Sequence, residues 1–150
     1  KGIDTAPSYS PDGKYIVFES DRSGSQQLYT MKLSNKKTKR ISFGKGSYAT
    51  PVWSPRGDTI AFTKLSGGEF YIGVMLINGE GERVIYKSYL VEGPTWAPNG
   101  RVLAFYSQFK KNKKTISSPR IKVIDLTGNN VREIITPADA SDPGWSSLLP

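Results

Sequence analysis

The chain has 150 residues, enough for one domain with a sizeable core. It holds no cysteine, which excludes disulfides and thiolate metal sites, and no histidine, which excludes the usual zinc sites and every Ser-His-Asp or Cys-His hydrolase design within it. The net charge of +8 invites a nucleic-acid reading, but Lys36, Lys37, Lys39 and Arg40 together with Lys110, Lys111, Lys113 and Lys114 account for all of it. Those are two local clusters, not a stripe. The apolar runs fall far short of the roughly 20 residues that span a bilayer as a helix, so no membrane insertion is expected. The chain starts at Lys1 with no Met and no leader, as a processed or a shortened chain would.

In chain order, four strand signals come first: Ala6 to Ser10, Lys14 to Ser20, Gln26 to Leu33 and Thr38 to Ser42. The stretch APSYSPDGKYIVFES at 6–20 then recurs as TPVWSPRGDTIAFTK at 50–64 and GPTWAPNGRVLAFYS at 93–107. From Pro7 to Pro51 to Pro94 the period is about 44 residues, the spacing of four-stranded propeller blades. A fourth start, DPGWSSLLP, opens at Asp142. The fold class expected is all-β: a β-propeller fragment of three four-stranded blades, with repeats at about 3–46, 47–89 and 90–138 and a closing strand at 141–147.

Within each repeat the second strand alternates with period 2, and both of its faces are apolar: Ile16, Val17 and Phe18, then Ile60, Ala61 and Phe62, then Leu103, Ala104 and Phe105. Such a strand needs cover on both sides, which stacked blades provide. The turns before it read Pro11-Asp12-Gly13, Pro55-Arg56-Gly57 and Pro98-Asn99-Gly100. Pro and Gly persist and the middle residue changes, so geometry and not chemistry is what the turn keeps. Tyr9, Trp53, Trp96 and Trp145 each follow the repeat's Pro by two positions and are expected to wedge between neighbouring sheets. The third repeat carries an insertion, QFKKNKKTISSP, expected as a solvated hairpin loop or a contact for an acidic partner. No carboxylate pair has catalytic spacing, and there is no phosphate loop, nucleophile elbow or calcium loop, so no catalytic residue, metal or cofactor is assigned.

The units PSYSPDGKYIVFES, PVWSPRGDTIAFTK and PTWAPNGRVLAFYS resemble the WD-like propeller repeats of the TolB family of the Gram-negative Tol-Pal system. The block EGPTWAPNGR and the closing DPGWSSLLP carry the resemblance to that family in particular. The resemblance implies a six-bladed, non-catalytic periplasmic propeller behind an amino-terminal α/β domain. It also implies binding to Pal, the peptidoglycan-associated lipoprotein, at the channel mouth, contact with other Tol proteins, and a role in outer-membrane integrity and cell division. Colicins are a further partner that the family resemblance implies, and nucleic acid is not expected. Aligned on the repeats, the partner-binding mouth would be built by Asp4, Thr5, Tyr48, Thr50, Glu92 and Asp142, in the loops that lead into the innermost strands. Three blades are half a ring, so a homodimer in which each Trp145 strand completes the other copy's first blade is a further expectation. The alternative is the propeller of a prolyl-oligopeptidase-like serine peptidase whose catalytic domain lies outside this chain.

Overall fold

The computed structural model describes residues 2–147. Three antiparallel four-stranded meanders follow one another along the chain. The first is β1 (Asp4–Tyr9), β2 (Tyr15–Ser20), β3 (Gln27–Lys32) and β4 (Thr38–Arg40); the second is β5 (Ser47–Trp53), β6 (Thr59–Ser66), β7 (Glu69–Leu76) and β8 (Arg83–Ser88). The third is β9 (Leu90–Trp96), β10 (Val102–Gln108), β11 (Arg120–Asp125) and β12 (Arg132–Ile134). Among the described residues there is no helix, and so no helix that could cross a membrane.

The core lies between the blades. Val17, Leu28, Ile41, Tyr48, Trp53, Ile60, Phe62 and Met75 pack where blade one meets blade two. Ala61, Ile72, Val74, Ile85, Val91, Leu103, Phe105 and Ile124 pack where blade two meets blade three. Strand β6 shows why its two faces are both apolar: Ile60 and Phe62 enter the first cluster, and Ala61, on the opposite face, enters the second.

Each Pro-x-Gly turn closes as its sequence requires, with Gly13, Gly57 and Gly100 at φ of 67°, 81° and 65°. The variable middle residue does modest local work. Asp12 accepts from the Lys14 amide at 3.1 Å, and Asn99 accepts from the Arg101 amide at 2.9 Å. The hydrogen bonds from Ser10 and the Lys14 amide hold the Asp12 carboxyl below its ordinary value.

The repeat aromatics divide by what lies next to them. Trp53 and Trp96 are each 8% exposed, at the two blade contacts, and the Trp96 indole donates to the Val52 carbonyl of the preceding blade at 3.1 Å. Tyr9 is 66% exposed, since among the described residues no blade packs on that side of blade one. The stretch 141–147 forms no ladder: Trp145 donates to the Thr95 carbonyl of blade three at 3.2 Å, but among the described residues no strand pairs with it. Residues 148–150 of the closing repeat lie outside the described residues.

Candidate functional site

In a four-stranded meander the connections alternate between the two ends of the blade. The Pro-x-Gly turns and the Ser34 to Lys37 turn lie at one end, and the starts of β1, β5 and β9 lie at the other, with the β2–β3, β6–β7 and β10–β11 loops. That second end carries the candidate mouth residues.

At each inner-strand start the ladder contains the same irregularity. Ala6 and Pro7 stand against Phe18 alone, Thr50 and Pro51 against Phe62, and Gly93 and Pro94 against Phe105. Two residues opposing one is a β-bulge, and its first residue is left-handed: φ is 49° at Ala6, 46° at Thr50 and 63° at Gly93. Asp142, before Pro143, has φ of 49° as well, so the closing stretch repeats the bulge conformation. Left-handed backbone costs a non-glycine residue roughly 1–2 kcal/mol. Three of the four positions carry that cost, and all four line one shallow groove with their prolines.

The bulge at Thr50 frees a backbone donor, and a side chain of the preceding blade takes it up. Thr50 N–H donates to Glu19 Oε2 at 2.7 Å, a bond from blade two to blade one. Glu19, itself buried, also accepts from the Thr5 hydroxyl at 2.6 Å and the Gln26 amide at 3.0 Å. In blade two the matching position is Thr63, whose hydroxyl lies 2.7 Å from that of Thr50. In blade three it is Tyr106, which donates to Glu92 at 3.0 Å. Burial, then the Glu92 carboxylate, then Asp142, push the Tyr106 phenol up to about 12.

Four of the six expected mouth residues are thus tied into this arrangement: Thr5 and Thr50 through Glu19, Glu92 through Tyr106, and Asp142 through its bulge. Asp4 stands beside them at the start of β1, exposed, where Arg22 Nη2 donates to its two carboxylate oxygens at 2.7 and 2.8 Å. That pairing, with Ser20, holds the Asp4 carboxyl below its ordinary value. The Arg22 guanidinium lies over the rings of Phe18 and Tyr29.

Tyr48 is the correction. It is 0% exposed, in the core between blades one and two, with its ring on Phe62 and its hydroxyl on Glu82 at 2.8 Å. In the strand alternation it precedes the bulge and points inward, so it presents no side chain to a partner. Lys64 completes the cluster, 2.8 Å from the Tyr48 hydroxyl and bridged to Glu82. Burial draws the Lys64 ammonium down, but its bonds to Glu82 and Tyr48 outweigh this and the net is upward; burial likewise raises the Tyr48 phenol.

Sequence reasoning missed Glu19, Lys64 and Glu82. Glu19 had a legible signal: aligned on the repeats, Glu19, Thr63 and Tyr106 are one position, polar each time in a strand that is otherwise apolar. Among the described residues no cluster of three or more carboxylates suits a metal ion.

Residues 1–149 match the family profile described as the TolB beta propeller domain. The chain belongs to the TolB family. The Tol-Pal system protein TolB of Gluconobacter oxydans is 52% identical and covers 97% of this chain, which spans 42% of that relative. The crystal structure of TolB from Acinetobacter baumannii superposes with a TM-score of 0.77 at 28% identity, over 93% of this chain and 34% of that one. A structure described as "putative TolB from Agrobacterium tumefaciens" gives a TM-score of 0.80 at 24% identity, over 97% of this chain and 55% of that one. This TolB-family chain therefore spans less than half the length of the curated relative. The tricorn protease, at 16% identity and a TM-score of 0.66, shares the propeller fold alone.

Proposed function

We propose that this chain is a protein-binding, non-catalytic propeller segment of the Tol-Pal system, acting in the periplasm. Its partner is the lipoprotein Pal, and its role is support of outer-membrane integrity and cell division. Family membership and the name of the relatives support the system. The observation that carries the binding reading is the groove along the four bulges, where Ala6, Thr50, Gly93 and Asp142 meet at the mouth end of the blades. Left-handed backbone at Ala6, Thr50 and Asp142 gathered in one place, with Thr50 tied to blade one by Glu19, supports a functional role for this surface. Thr50 and Asp142 supply a hydroxyl and a carboxylate in the groove, Thr5 and Glu92 stand one residue before its bulges, and Asp4 with Arg22 flanks it.

Other Tol proteins, and colicins that exploit the same mouth, are further partners in this reading. The free face of blade one, with Ile16, Phe18 and Met31 around Arg22, is the surface a second copy would cover if the chain forms a homodimer. Light scattering at several concentrations tests that point, and a monomer at all of them rejects it. The peptidase alternative has only likeness of fold behind it.

A titration of purified Pal into this chain and into a full-length family member tests the function. Binding by both places the epitope in these blades. Binding by the long form alone moves it to the rest of the protein, and binding by neither rejects the reading.

A further inference from the structure

The two lysine clusters that produce the net charge lie at opposite ends of the blades. Lys36, Lys37 and Lys39 surround the β3–β4 turn, at the end of the Pro-x-Gly turns. Lys110, Lys111, Lys113 and Lys114 lie in the β10–β11 connection, at the mouth end. That connection is an ordered hairpin. Lys110 bridges to Ile116, the Lys111 amide donates to the Thr115 carbonyl, and Asn112 caps the tip by accepting from the Lys114 and Thr115 amides. Ser117 ties the base, donating its amide to the Phe109 carbonyl and accepting the Phe109 amide on its hydroxyl.

Three features set this hairpin apart from an ordinary solvated turn. No Asp or Glu occurs between Glu92 and Asp125, so no acid within the strand-hairpin-strand segment offsets the hairpin's lysines. Among the described residues Lys111, Lys113 and Lys114 are exposed and take part in no ion pair. The base of the hairpin opens onto a groove of about 400 Å³ against blade two, lined by Glu69, Lys87, Tyr89, Phe109 and Lys110. Phe109 is 50% exposed there, beside Tyr89, whose ring carries the Lys110 ammonium 4.6 Å from its centre. Glu69 is already neutralised by Lys87. A row of free cations thus stands above an open aromatic notch.

We propose that the hairpin from Phe109 to Ser117 and the groove at its base form a docking surface, separate from the bulge groove, for an acidic peptide segment of a partner protein. The segment's carboxylates meet Lys111, Lys113 and Lys114, and one apolar side chain enters beside Phe109 and Tyr89. Charge complementarity commits the site to an anion, and the order of its groups commits it to a peptide. A membrane-inserting hairpin carries its apolar residues at the tip and its lysines at the flanks, whereas here the tip is Lys111 to Lys114 and the apolar residues are at the base. The inference stands on charge and topology alone and does not depend on Pal being the partner at the mouth.

The test uses short fluorescein-labelled peptides, one with four acidic residues beside a single Leu and one with the acids replaced by their amides, titrated against this chain by anisotropy at rising salt. The acidic peptide is expected to bind, more weakly as salt rises, and the amide peptide is not. Replacing Lys111, Lys113 and Lys114 by Gln is expected to weaken binding about tenfold, since three exposed ion pairs together are worth about one decade in Kd. Replacing Lys36, Lys37 and Lys39 by Gln removes the same charge and is expected to change nothing. Phe109→Ser is expected to weaken binding too. All these positions are exposed, so the fold survives, as circular dichroism will show. Equal weakening by the two triple variants would reduce the effect to diffuse charge and overturn the proposal. So would hairpin-dependent binding to phosphatidylglycerol vesicles with no binding of the acidic peptide.

Discussion

The indole of Trp145 donates to the Thr95 carbonyl at 3.2 Å, one blade further along the same bond that Trp96 makes to Val52 at 3.1 Å. Val52 and Thr95 each follow the proline of their repeat, and each tryptophan follows its own proline by two. The closing stretch therefore docks as the inner strand of a fourth blade does, by one side-chain bond and before any ladder exists. The Trp53 indole instead donates to the Gly57 carbonyl of its own turn, while the Trp53 amide donates to the Ser8 hydroxyl of blade one, so the first strand reaches the preceding blade at this contact by another bond.

The two tryptophans should differ in what they contribute. Trp96 is buried between blades, and Trp96→Ala is expected to cost about 3–5 kcal/mol, the range for losing a large core aromatic. Trp145 is 41% exposed, and Trp145→Ala is expected to cost about 1 kcal/mol, the net value of one hydrogen bond with partial burial. Urea unfolding of the two variants measures the difference. The reverse order would show that the closing stretch is part of the core.

Glu19 should not tolerate its nearest relative. Its carboxylate accepts three bonds, from Thr5, Gln26 and the left-handed Thr50. An amide at this position has one oxygen, and its NH₂ end faces either the Thr50 N–H or the Gln26 NH₂, donor against donor. Glu19→Gln is therefore expected to cost about 1–3 kcal/mol, the penalty of a buried group left unpaired, and Glu19→Ala a similar amount. Hydrogen exchange at the Thr50 amide should rise in both. Unchanged protection there would remove Glu19 as the inter-blade tie.

Much of this was readable in the sequence, and the limits have physical causes. The period from Pro7 to Pro94 gives the blade count, and the alternation of Ile60, Ala61 and Phe62 gives cover on both faces, because both follow from local geometry that repeats. The bulge was not readable. A pre-proline residue normally avoids helical backbone, so nothing in Ala6-Pro7 or Thr50-Pro51 signals φ near 50°, and only the ladder exposes it. Tyr48 was misplaced for the same reason, since its direction is set by strand alternation on the near side of the bulge. Glu82 meets Lys64 and Tyr48 only through tertiary pairing, which no single-repeat pattern encodes.

Alkaline pH should weaken the fold. Tyr106, Tyr48 and Lys64 all have their protonation shifted upward from 10.0, 10.0 and 10.5, so each folded form holds its proton more tightly than the unfolded chain does. That stability is fully present below about pH 10, the unfolded tyrosine value, and is lost as pH rises through the folded values, about 12 for Tyr106. Glu92→Gln removes a charge that raises the Tyr106 phenol, and its titration, followed by NMR of labelled tyrosine, should move down toward 10. No movement would place the cause in burial and Asp142.

Removing Lys64 should expose the same cluster from the other side. Lys64→Met keeps the aliphatic stem and leaves the Glu82 carboxylate with the Tyr48 hydroxyl as its remaining partner. The expected cost is about 1–3 kcal/mol by urea unfolding at neutral pH, from a partly buried acceptor short of a donor. A neutral outcome would mean that the pair contributes no more than an exposed ion pair.

The central claim, that the mouth end of the blades binds Pal, is tested most directly by calorimetric titration of Pal into a full-length family member carrying changes at one end or the other. The mouth set alters Thr5, Glu92 and Asp142 to Ala, and the opposite set alters Asp12, Arg56 and Asn99 to Ala in the Pro-x-Gly turns. The mouth set is expected to weaken Pal binding at least about tenfold, as losing several polar contacts requires, while the turn set binds as the parent does. Weakening by the turn set with the mouth set unaffected would contradict it.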